Sequence, residues 1–133
     1  MTKEEKYTAR LKAAGVTITE KADLTAFGLV YFCNLTGVAA RELLNMGAAA
    51  TDQTQNNSPE FGDIVTFLEA NPEFVGHGYI VPPTREDERI SLEGVVSRPK
   101  VVLEKAQIIA FCNAFHGANE FEVAENYARA WYD

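Results

Sequence analysis

The stretch YIVPPTREDERISLE, residues 79–93, decides the fold. Tyr79-Ile80-Val81 is β-prone, and Pro82-Pro83 halts it. Arg89-Ile90-Ser91-Leu92-Glu93 then alternates with period two, which points Ile90 and Leu92 one way and Arg89, Ser91 and Glu93 the other. Two short strands joined by the turn Pro82–Glu88 make a hairpin. Its outward face and charged tip are the first candidates for a surface that does something.

Helical patterns flank this hairpin. On its N-terminal side Phe61, Ile64, Val65 and Leu68 recur at helical spacing. Ser58, Pro59 and Glu60 read as cap, first position and first turn of that helix, and Asn71-Pro72 ends it. On the C-terminal side Lys105–His116 reads as a helix with Ile108, Phe111, Cys112 and Phe115 inward and Gly117 as its stop. Glu120-Phe121-Glu122-Val123 alternates again. Residues 126–132 suit a pairing strand, although Ala128 and Ala130 suit a helical turn as well.

The remaining segments extend the pattern toward the N-terminus. Lys3–Ala14 reads as a helix with Tyr7, Leu11 and Ala14 on one face and Gly15 as its stop. Val16-Thr17-Ile18 is a brief extended piece. Thr19 is a cap for a helix in which Leu24, Phe27, Tyr31 and Leu35 share a face, with Gly28 on the same side against a close neighbour. Val38–Met46 is another short helix, closed by Gly47. Residues 52–58 hold no apolar side chain and form a loop.

The sequence therefore predicts an α+β fold: a small antiparallel sheet with helices packed mainly on one face, in the order helix–hairpin, helix–hairpin after an N-terminal helical segment. The 133 residues suit a single domain over 1–133. The expected core comprises Phe27, Tyr31, Leu35, Phe61, Ile64, Leu68, Ile90, Leu92, Ile108, Cys112 and Phe115.

Charge and composition narrow the function. The formal net charge is −7, and Lys3, Lys6, Arg10 and Lys12 are only a mild basic scatter. A nucleic-acid binder needs a basic face, and so does a protein that docks on anionic membranes, so neither partner is expected. The acids are too dispersed for a mimic of nucleic acid. The first residues are polar, unlike a secretory leader, and no apolar run reaches membrane-spanning length. With two cysteines in apolar, helix-like surroundings, a reducing, cytoplasmic setting is expected.

The chemistry-bearing residues offer little catalysis. Ser58, Ser91 and Ser97 are the only serines, and none lies in a nucleophile elbow. Cys112 and His116 stand four apart on one helix, and Cys33 with His77 would complete a zinc-type set. However, the ligand knuckles of zinc sites are absent, and a histidine before a helix stop more commonly meets the last carbonyls. Gly76-His77-Gly78 completes no phosphate-binding pattern. Three adjacent acids, Glu86 to Glu88, lack the spacing of a calcium loop and have two arginines beside them. No cofactor and no metal are expected.

The expectation is a non-enzymatic protein-interaction module; the alternative is a small enzyme or small-molecule binder with a pocket between helices and sheet. The absence of a catalytic signature favours the first. The binding residues expected are Tyr79, Arg85, Asp87 and Arg89 on the hairpin, with Trp131 beside them. Arg85 and Arg89 offer planar donors to carboxylates, and tryptophan is a common interface anchor. A protein partner is the natural occupant, and a homodimer is compatible with the same surface.

Overall fold

The structure, a computed structural model, describes residues 1–16 and 28–133. It is an α+β fold of four helices and a five-stranded antiparallel sheet. The elements run α1 (Lys3–Ala13), β1 (Val30–Leu35), α2 (Gly37–Asn45), α3 (Phe61–Ala70), β2 (Phe74–Val81), β3 (Arg89–Ser97), α4 (Lys105–Phe115), β4 (Glu120–Ala124) and β5 (Tyr127–Trp131). The sheet order is β1-β2-β3-β5-β4. The two hairpins, β2–β3 and β4–β5, join side by side where β3 pairs with β5. Residues 127–131 are thus strand, because Ala128 and Ala130 pair with β4 and sit fully buried against the helices.

Local chemistry accounts for the helix ends. Thr2 and Glu5 form a reciprocal capping box on α1, while Gly15 stops it with φ +75°. Thr36 caps α2 by accepting from the Ala39 amide at 3.1 Å. Helix α3 begins at Phe61, two residues later than the sequence suggests, and Ser58 is not its cap. The Ser58 hydroxyl instead accepts from the Gln55 amide at 2.8 Å, inside the preceding loop. The orphan amides of α3 are taken by loop carbonyls, Phe61 N–H by Gln53 and Gly62 N–H by Thr51.

The helices share one face of the sheet. Tyr7 and Leu11 of α1, Leu43 of α2, Phe61, Ile64 and Leu68 of α3, and Phe111 and Phe115 of α4 form one cluster with Leu35, Phe74, Ile80, Ile90, Leu92 and Val95 of the strands. Toward β5 and β4 the packing is aromatic. Phe111 stacks on Phe74 at 5.4 Å and on Phe121 at 5.2 Å, and Phe67 meets Phe74 and Phe115 edge to face.

Several sequence expectations need correction. The helix read from Thr19 to Leu35 is wrong at its C-terminal part, since residues 30–35 are the edge strand β1. Thr17, Ile18, Thr19, Leu24 and Phe27 lie outside the described residues. Gly28 sits in a bend before β1, with no neighbour close to it among the described residues. Tyr31 is not core but 67 % exposed. It pairs with Tyr79 across β1–β2, on the face away from the helices. Ser91 does point away from Ile90 and Leu92, yet it is fully buried, because Arg89 lies over it.

Ile108 and Cys112 pack at the margin of the core and are only partly buried. Ile108→Ala is therefore expected to cost about 1–2 kcal/mol, below the roughly 2–5 kcal/mol of a fully buried isoleucine. Urea denaturation measures this; a loss above about 3 kcal/mol would place Ile108 deeper than its partial exposure implies.

Candidate functional site

The face of the sheet away from the helices is built from the alternate residues of each strand. Across its middle runs a groove of about 770 Å³, lined by Tyr31, His77, Glu93, Tyr127, Arg129 and Trp131 among others. Its floor is shaped by a bulge: the β2–β3 register shifts between His77 and Gly78, leaving Glu93 without a partner in the ladder. A bulge kinks its strand and re-aims a side chain. Here two glycines allow it. A Cβ on Gly78 would lie 2.0 Å from the Ser91 carbonyl oxygen, and one on Gly94 1.8 Å from that of Ala130.

The bare backbone at Gly94 leaves room for His77 to reach over β3 and place Nε2 3.1 Å from the Ala130 carbonyl oxygen on β5. Beside it the Trp131 indole N–H donates to Glu93 at 3.3 Å, and Arg129 donates to Glu120 at 2.8 Å. Burial, with the nearby positive Arg129, holds the His77 imidazole below its ordinary value of 6.5.

That shift has a consequence for stability. In the unfolded chain the imidazole takes up its proton near pH 6.5, whereas the folded chain keeps it neutral to a lower pH. The unfolded state thus binds more protons in between. The contribution is fully present above the unfolded value and is lost as pH falls through the folded one. Stability by urea denaturation should fall as the pH drops below about 6.5, and His77→Gln should flatten that slope. An unchanged slope in the variant would remove His77 from this role.

The hairpin end of the same face carries a second feature. The Tyr79 hydroxyl donates to Gln55 at 2.7 Å and accepts from Arg89 at 2.8 Å. Arg89 also donates to the Ser91 hydroxyl at 3.0 Å and the Asp87 carbonyl at 2.9 Å, with its guanidinium over the Tyr79 ring. Arg85 grips the Asp87 carboxylate with two bonds, of 2.9 and 2.7 Å. Those bonds, joined by one from Arg89, hold the Asp87 carboxyl below the usual carboxylate range. Glu88 turns inward to Arg10 of α1.

Tyr79, Arg85, Asp87 and Arg89 are thus brought together in one network. Trp131 stands apart from them, in the groove. Tyr31 links the two regions, since its ring lies 6.1 Å from that of Tyr79 while it lines the groove. Sequence reading sets Glu93 on the outward face of the hairpin and Tyr127 and Arg129 in an aromatic C-terminal end, but it does not join them with Tyr31 and His77 in one surface. The available signal was strand alternation in Tyr127–Trp131, which aligns Tyr127, Arg129 and Trp131.

The cysteine–histidine pairs fall on opposite faces. Cys33 is exposed on β1 and lines the groove with His77. Cys112 is half-buried on α4, and His116 Nδ1 lies 3.1 Å from the Cys112 carbonyl oxygen. Cys33 is therefore not in a helical, apolar setting. Among the described residues no group of three or more His, Cys, Asp or Glu side chains gathers at one point. No described helix is long and apolar enough to cross a membrane.

Comparison of the chain with protein families, with curated proteins and with solved structures finds no match.

Proposed function

We propose that this chain is a protein-interaction module that takes its partner on the helix-free face of the sheet, with the β2–β3 hairpin as a stiff rim. The observation that carries the reading is Tyr31. A tyrosine 67 % exposed on the edge strand β1, lining a groove together with Tyr127 and Trp131, is a ready aromatic anchor. Tyrosine and tryptophan offer broad contact area with a polar tip, which suits a surface that alternates between wet and covered.

Charge selects the partner. Glu93 and Asp133 line the groove. On β4, Glu120 and Glu122 pair with Trp131 and Arg129 and so share this face. Their field steers a partner with an exposed basic segment. Because Arg85, Asp87, Arg89, Tyr79 and Gln55 already hold one another, the rim is ordered before binding, and less entropy is lost on association. A cytoplasmic setting accords with this reading, both cysteines being free thiols.

The test is affinity for the partner recovered from the native cell. Tyr31→Ala and Trp131→Ala should each weaken binding by about tenfold or more, the size of an anchor residue's contribution, and added salt should weaken it further. Arg85→Ala and charge reversal at Asp87 should act more mildly, by loosening the rim. Parent-like affinity in a folded Tyr31→Ala/Trp131→Ala variant would overturn the reading.

A further inference from the structure

Below the groove, toward the start of β2 and the end of β3, the same face holds a second, smaller cleft of about 420 Å³. We propose that it binds a small amphipathic acid: a short apolar chain ending in a carboxylate. The proposal does not rest on the protein-binding reading, although the cleft shares Cys33, Val96 and Tyr127 with the groove.

The apolar half of the argument is the floor. Val75 and Val96 are paired neighbours on β2 and β3, and both line the cleft. Their sequence neighbours Phe74 and Val95 point into the core, so by strand alternation Val75 and Val96 face away from the helices. Tyr127 also lines the cleft. The cleft lies in the size range of small-ligand sites and is large enough for a chain of about eight carbons.

The polar half is at one end, where Arg98 and Lys100 stand on the segment leaving β3. The chain holds six arginines, and Arg10, Arg41, Arg85, Arg89 and Arg129 each pair with a carboxylate. Arg98 has no carboxylate partner among the described residues. Its Nε donates to the Pro72 carbonyl at 2.8 Å, which fixes the guanidinium and leaves both terminal nitrogens for an acceptor. A guanidinium offers a carboxylate two parallel donors, and Lys100 adds a second positive charge. In a chain of net charge −7, two cations without acidic partners among the described residues, beside an apolar cleft, mark a local preference for an anion.

Octanoate, octylamine and 1-octanol serve as probes, titrated against the full chain while the methyl resonances of Val75 and Val96 are followed by NMR. Octanoate should give saturable shifts at both valines, with octanol at least about tenfold weaker and octylamine weaker still. Lys100→Gln, which disturbs no hydrogen bond of the fold, should weaken octanoate severalfold, and Arg98→Gln/Lys100→Gln more than tenfold, while octanol binding stays as in the parent. The proposal fails if octanoate leaves the two valines unshifted, if octanol binds as tightly as octanoate, or if the double variant retains the parent's affinity for octanoate. Tyr31→Ala/Trp131→Ala should leave octanoate binding unchanged, which separates this cleft from the groove above it.

Discussion

Arg10→Ala is expected to destabilise the fold by about 3–5 kcal/mol, the cost of removing one member of a buried ion pair. Arg10 sits on the inner face of α1 and is only 5 % exposed. Its Nε donates to the Ala48 carbonyl at 2.7 Å, and Nη1 meets the Glu88 carboxylate. One side chain thus ties α1 to the loop after α2 and to the tip of the β2–β3 hairpin. Alanine would leave a nearly buried carboxylate and a carbonyl without their donor, and the desolvation of each would go uncompensated. Glu88→Ala should be costly for the same reason. The Arg10→Ala/Glu88→Ala double variant should lose clearly less than the two single losses added together. Chemical denaturation of the four chains measures this. Additivity within about 0.5 kcal/mol would show that the two groups are not coupled.

Gly94→Ala should cost upwards of about 3 kcal/mol, beyond the usual range for overpacking. Overpacking is normally absorbed by shifting side chains, but here the obstacle is backbone. The new methyl would stand 1.8 Å from the Ala130 carbonyl oxygen and 2.9 Å from His77 Nε2. To admit it, β3 and β5 must separate at their pairing, and His77 must leave its carbonyl partner. Gly117→Ala is the control, because a Cβ there meets nothing within 4 Å; it should stay within about 0.5 kcal/mol of the parent. Near-equal stabilities of the two variants would show that β3 and β5 have slack at this point.

Local signals made the α+β architecture legible. Phe61, Ile64, Val65 and Leu68 are each at most 1 % exposed, as their spacing requires. The hairpin was visible in period two. Strand β1 was not, and its bulge explains why. The β1–β2 register shifts between Phe32 and Leu35, so two residues three apart both face the core. Three is also a helical interval, and Tyr31 to Leu35 completes the imitation. The β-prone run Val30-Tyr31-Phe32 was the competing signal.

The surface was harder to read than the core. Asp87 and Arg89 stand among the candidate binding residues, but sequence cannot show that Arg89 bonds to Asp87 and to Tyr79, or that Tyr79 in turn bonds to Gln55. Arg10 reads in sequence as part of a mild basic scatter, since its partner lies 78 residues away. His77 and Gly94 act together only because β2 and β3 are neighbours with a bulge between them, a relation that no window along the chain contains.

The strand order also bears on how the chain reaches this state. β2 and β3 close over a short turn, and so do β4 and β5. β1 must wait for two helices and the loop between them to be placed before it meets β2. Loop closure over that length carries more entropy cost than closing either hairpin. Closure entropy therefore favours the two hairpins forming before β1, a short edge strand with an interrupted ladder, docks on β2. In the folded chain β1 is the lock on that side of the sheet: without it, β2 with its two glycines would be an open edge.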